Sequence, residues 1–149
     1  KAWYKAIEEA NDLIIEPKGM DIQGYDIDGE IIKAAMHNSR LAEVEQYIHF
    51  QKRPVKDLSH SKKYGFIITN PPYGERLEDE STIPALYREM GQVFANLDSW
   101  SYYIITSYED IEQRMGKKAD RNRKIYNGMI KTYFYQFMGP RPPRRKREE

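Results

Sequence analysis

The chain has 149 residues, 40% hydrophobic and 32% charged, enough for one domain with a core and little room for a second. It contains no cysteine, which excludes disulfides, thiolate catalysis and zinc ribbons and fits a reducing cytoplasm. No apolar run approaches the ~20 residues of a membrane span, the start Lys1-Ala2-Trp3-Tyr4 does not read as a signal peptide, and a net charge of +1 does not by itself declare a nucleic-acid binder.

Trp3, Ile7, Ala10 and Ile14 recur at helical spacing, so a helix opens the chain and stops at Pro17-Lys18-Gly19. Met20 to Tyr25 reads as a short strand, and Asp28 can cap a helix over Gly29 to Leu41 with Ile31, Ile32, Ala35 and Met36 on its inner face. Val44 to Phe50 is predicted as a second strand. Phe66-Ile67-Ile68-Thr69 is an apolar strand suited to a sheet covered on both faces. Pro84 suits the first turn of a helix in which Leu86, Met90, Val93, Phe94 and Leu97 repeat. Tyr102 to Ser107 is another strand, followed by a short helix near Ile111 to Met115. Arg123 to Tyr126 and Ile130 to Phe137 bracket Asn127-Gly128, a hairpin turn signal. Strands alternating with helices predict a doubly wound α/β sheet with an antiparallel edge. After Gly139 a basic tail over 140–149 reads as disordered, with Arg141, Arg144, Arg145, Lys146 and Arg147 as candidate RNA-phosphate contacts or a solvated end.

Chemistry concentrates in Thr69-Asn70-Pro71-Pro72-Tyr73-Gly74, where an apolar strand runs out. Each proline pushes the residue before it into an extended conformation and removes a backbone donor. The Asn70 side-chain oxygen and the Pro71 carbonyl are thereby left to accept two hydrogen bonds from one NH2 group. An amine held in this way can aim its lone pair at a methyl donor, and its developing positive charge meets two acceptors. Tyr73 offers a flat face on which a base can stack. Such a site works by positioning and electrostatics and needs no strong base.

Asn-Pro-Pro-Tyr resembles the signature of amino-group methyltransferases, which act on adenine N6, guanine N2 or a glutamine side chain. Gly24-Tyr25-Asp26-Ile27-Asp28, the run from Asn70 through Glu75, Arg76 and Leu77, and Arg123-Lys124-Ile125-Tyr126-Asn127-Gly128 narrow the resemblance. They are similar to the bacterial large-subunit ribosomal RNA guanine-N2 methyltransferases, a family often labelled N6-adenine-specific DNA methylases, over nearly all of the chain before the tail. The resemblance implies a Rossmann-like class I fold, S-adenosylmethionine as cofactor, and ribosomal RNA as substrate in the cytoplasm. It implies that Asp26 binds the cofactor's ribose hydroxyls and Asp57, in Val55-Lys56-Asp57-Leu58, its adenine amino group, with Asn70 among the cofactor's contacts. Asn70, Pro71, Pro72 and Tyr73 would form the catalytic loop. On local grounds alone an Asp at a strand end, Asp28 here, is more often a helix cap, and Asp57 is an ordinary turn residue. Arg76 would contact RNA phosphate or brace the loop through a carboxylate.

Members of that family also carry a glycine-rich loop after a first strand, and an RNA-binding module of the THUMP type. Neither is in this chain, which has no Gly-x-Gly. Residues 1–139 are therefore expected to be part of a catalytic domain whose first strand and glycine loop belong to a larger polypeptide. The alternatives are adenine N6 as the target, or an RNA-binding fragment that catalyses nothing. His37, His49 and His60 lack metal-ligand spacing, and the tyrosines, Tyr102, Tyr103, Tyr133 and Tyr135 among them, read as strand packing.

Overall fold

The computed structural model describes residues 1–15, 19–73 and 81–143. They fall into two compact units, Lys1–Lys52 and Arg53 onward, each with its own sheet.

The first unit begins with α1 (Ala2–Asp12), which ends before Ile14 and buries none of its residues. β1 (Ile22–Asp26) and β2 (Ile48–Lys52) form a parallel pair in which Ile22 faces Ile48 and Asp26 faces Lys52. A parallel pair needs a crossover, supplied by α2 (Gly29–Leu41). Its start is the one predicted: Asp28 Oδ1 accepts from the Glu30 N–H at 2.8 Å. Ile32 is buried, whereas Ile31 and Met36 are exposed. The second strand starts later than predicted. The Val44 N–H donates to the Ser39 carbonyl at 3.0 Å, Arg40 pairs with Glu45 at 2.9 Å, and the Tyr47 N–H returns to Val44. Those bonds wind Glu45–Tyr47 into a 3-10 turn, so pairing is delayed to Ile48.

The second unit contains β3 (Phe66–Thr69), α3 (Ile83–Ala95), β4 (Ser101–Thr106), α4 (Ile111–Met115), β5 (Arg121–Asn127) and β6 (Ile130–Phe137). The sheet order is β3-β4-β6-β5, parallel between β3 and β4 and antiparallel across the rest. The hairpin forms where Asn127-Gly128 predicts it, with Gly128 at φ +61°, a conformation that L side chains rarely adopt.

α3 and α4 pack on one face of this sheet. Ile83, Tyr87, Met90 and Phe94 of α3 meet Tyr102 and Ile104 of β4, Tyr135 and Phe137 of β6, and Ile111 and Met115 of α4. Burying each of the large side chains contributes about 1.5–3 kcal/mol. Gly91 lets the two helices touch, because a Cβ there would lie 2.5 Å from the Met115 carbonyl oxygen. Within its own unit β3 is covered on one face. Ile67 packs against the core, but Phe66 and Ile68 are 67% and 77% exposed, since both helices lie on the Ile67 side. Among the described residues no helix is long and apolar enough to cross a membrane.

Candidate active site

The Asn-Pro-Pro-Tyr loop leaves the carboxyl end of β3, beside β4, with Thr69 opposite Ile104. Pro71 is buried and Tyr73 half-buried, while Asn70 and Pro72 are exposed. One ring therefore anchors the loop, and the amide beside it stays accessible. This alternation is what a rigid display of hydrogen-bond acceptors requires.

Beneath the loop, β4 runs on to Thr106, which is wholly buried. Its Oγ1 lies 2.6 Å from the Tyr87 hydroxyl and accepts from the Tyr108 N–H at 3.0 Å. The Tyr87 and Tyr108 rings meet at 4.8 Å with a 41° tilt, and the Arg114 Nε donates to the Tyr108 hydroxyl at 3.2 Å. Burial pushes the Tyr87 phenol well above the usual tyrosine range, against the lowering effect of its bond to Thr106. Tyr108 and Tyr73 lie close enough to add to that rise. Tyr87 is thus a neutral hydrogen-bonding post close to Tyr73, and not a base.

Sequence reasoning did not single out Tyr87, Thr106 and Tyr108. The signal was present. Tyr87 falls four residues after Ile83 and three before Met90, on the inner stripe of α3, and Tyr108 lies just past a parallel strand's carboxyl end.

Asp26 ends β1 in the first unit and is half-buried. Its Oδ1 accepts from the Asp28 N–H at 2.8 Å, while Oδ2 has no hydrogen-bond partner among the described residues. One oxygen fixes the carboxylate's direction, and the other can accept from a hydroxyl. The chemistry of this donor-free, oriented carboxylate fits a ribose diol. Asp28 is the helix cap. In the second unit Asp57 closes a 3-10 turn, Val55–Asp57, its N–H returning to the Pro54 carbonyl at 3.1 Å. Val55 and Leu58 pack against the core, and Asp57 is held exposed between them, able to accept from an amino group.

Asn70, Pro71, Pro72, Tyr73 and Asp57 thus belong to one unit and Asp26 to the other. Glu75, Arg76 and Leu77, with Arg144, Arg145, Lys146 and Arg147, lie outside the described residues; Arg141 is exposed.

Residues 1–136 match the UPF0020 family, the RMKL-like methyltransferase domain. The chain belongs to that family. It is 39% identical over 147 residues to "Putative RNA methyltransferase YpsC" of Bacillus subtilis (strain 168), covering 99% of this chain and 38% of YpsC. To the ribosomal RNA large subunit methyltransferase K/L of Cellvibrio japonicus it is 31% identical over 125 residues, 78% of this chain and 16% of that enzyme. The solved structure "Crystal structure of SMU.472, a putative methyltransferase complexed with SAH" superposes with a TM-score of 0.87 at 39% identity, over 94% of this chain and 37% of that one. The RMKL-like domain described here therefore has the class I methyltransferase fold and spans well under half the length of each of these relatives.

Proposed function

We propose that the protein carrying this domain transfers a methyl group from S-adenosylmethionine to guanine N2 of 23S ribosomal RNA. The observation that carries the reading is the display of Asn70 at the end of β3 beside the buried Pro71. The amide oxygen of Asn70 and the Pro71 carbonyl would accept the two N–H bonds of the exocyclic amine, with Tyr73 stacked on the base. The cofactor, when bound, supplies an electrophilic methyl group on a sulfonium. Asn70 and Pro71 would hold the amine with its lone pair toward that methyl group, and the proton given up on methylation would leave to solvent. The loop's part is to fix the angle of attack and stabilise positive charge on nitrogen. Asp26 would accept from the cofactor's ribose hydroxyls and Asp57 from its adenine amino group. A paired guanine would have to be turned out of its stack to reach Asn70.

RNA as the substrate is supported by the names of YpsC and the K/L enzyme, and the cofactor by the SAH complex of SMU.472. A ribosomal RNA substrate would place the enzyme in the cytoplasm. The glycine-rich loop and the THUMP-type RNA-binding module implied by the family resemblance would come from polypeptide outside these 149 residues.

Single-turnover methylation of unmodified 23S ribosomal RNA by the full-length protein, with the product nucleoside identified by mass spectrometry, tests this. N2-methylguanosine is expected. N6-methyladenosine would move the substrate to adenine, and no methylated nucleoside would sink the reading.

A further inference from the structure

The stretch from Lys117 to Lys131 carries six cations, Lys117, Lys118, Arg121, Arg123, Lys124 and Lys131, against one acid, Asp120. That acid is engaged, its Oδ2 accepting from the Met138 N–H at 2.7 Å. No ion pair found among the described residues involves any of the six. β5 is the outer strand of its sheet, and every residue from Arg121 to Tyr126 is exposed.

Register gives this charge a direction. Thr106 stands opposite Tyr133, Tyr133 opposite Lys124, and Tyr126 opposite Lys131. Directly opposed residues in antiparallel strands share a face. Lys124, Tyr126, Lys131 and Tyr133 therefore lie on the face that carries Thr106, level with or just beyond the carboxyl end of β4. The Asn70 loop leaves β3 at this same end. With strands about 4.8 Å apart, Lys124 is about 14 Å across the sheet from β3.

The four side chains interleave charge and ring. Lys124 Nζ lies 5.1 Å from the Tyr126 ring centre, and Lys131 Nζ 5.1 Å from that of Tyr133. Glu109 lies close enough to Lys131 to favour its charged form. Ammonium groups held against tyrosines suit a single-stranded polyanion with flat bases, because phosphates take the charge and bases take the rings.

Resting on the RNA reading above, we propose that Lys124, Tyr126 and Lys131 of the β5–β6 hairpin hold the RNA strand flanking the target nucleotide. Two backbone phosphates sit on the lysines and a neighbouring base stacks on Tyr126. The hairpin thus acts as a rail that leads the strand toward the Asn70 loop.

The test uses the full-length protein and 23S ribosomal RNA transcribed in vitro. Each lost phosphate contact lowers the slope of log affinity against log salt by about 0.7–0.9. The Lys124→Ala/Lys131→Ala variant should therefore lose about 1.4–1.8 from that slope. Its KM for RNA should rise on the order of 10-fold or more at 0.1 M salt, while S-adenosylmethionine affinity is unchanged. Lys124→Arg/Lys131→Arg should restore both values, and Tyr126→Ala should raise KM without altering the slope. If the wild-type protein methylates the RNA and the double alanine variant keeps its slope and KM, the rail is wrong and the functional reading stands. If the wild-type protein neither binds nor methylates RNA, both fall together.

Discussion

The Tyr87 hydroxyl lies 2.6 Å from the Thr106 hydroxyl, and this buried bond ties α3 to the last residue of β4 beneath the Asn-Pro-Pro-Tyr loop. Thr106 Oγ1 also accepts the Tyr108 N–H, so the two ends of the bond are not equivalent. Tyr87→Phe removes one bond and leaves Thr106 partnered, and should cost about 1 kcal/mol. Thr106→Val strands both the Tyr87 hydroxyl and the Tyr108 N–H, and should cost about 2–3 kcal/mol. Equilibrium denaturant unfolding measures both, and equal costs would mean that Thr106 is not the hub.

Burial raises the phenols of Tyr87, Tyr102 and Tyr135 above their ordinary value of 10.0. In the unfolded chain these groups ionise near pH 10, whereas in the folded chain they keep their protons to higher pH. The folded state therefore binds more protons above pH 10, and stability falls as pH rises. Their contribution is complete below pH 10 and is lost as pH climbs through the raised folded values. Thermal melts should hold steady up to about pH 10 and then drop. Tyr87→Phe should make that alkaline decline shallower, and an unaltered decline would show that Tyr87 titrates normally.

The elements legible in the sequence were those with strong local punctuation. Asp28 before an apolar stripe, Pro84 in a first turn and Asn127-Gly128 between two strand runs each sit where the pattern puts them. The stretch from Val44 to Tyr47 was misplaced because its apolar residues suit a strand, while the Arg40–Glu45 ion pair and the Val44–Ser39 bond wind it onto the preceding helix. Which β3 residue packs inside its own unit is not legible from the apolar run. Ile67 and Ile68 are the same residue type, and only the placement of α3 and α4 on one side separates the packed one from the exposed one. In the site, the loop from Asn70 to Tyr73 could be read because its prolines act on their immediate neighbours. Tyr87 lies 19 residues from Thr106 in sequence, and only folding brings their hydroxyls together.

Asp26 and Asp28 are separated by one residue and should fail differently. Asp28→Ala removes the cap on Glu30 and should cost about 1 kcal/mol of stability. Asp26→Ala should weaken S-adenosylmethionine binding in the full-length protein, because a charged acceptor is worth about 1.5–3 kcal/mol. That corresponds to roughly 10- to 150-fold in Kd. Calorimetric titration beside thermal melts separates the two. Unchanged cofactor affinity in Asp26→Ala would reduce Asp26 to a brace for the Asp28 N–H.

Asn70 decides whether the loop acts on the transferred group or only shapes the strand end. Its side chain is exposed and the loop is anchored by the buried Pro71, so Asn70→Ala should leave stability and cofactor binding close to normal. The loss should fall on the methyl-transfer rate, because the interaction with the amine strengthens as positive charge develops on nitrogen. Removing one preorganised polar group of this kind costs about 10²–10³ in rate. Tyr73 gives an internal comparison. Stacking uses its ring, so Tyr73→Ala should slow turnover while Tyr73→Phe should be mild. Single-turnover kinetics with the full-length protein at saturating RNA and cofactor isolates this step. If Asn70→Ala transfers methyl at the wild-type rate, the amine is not held by this loop.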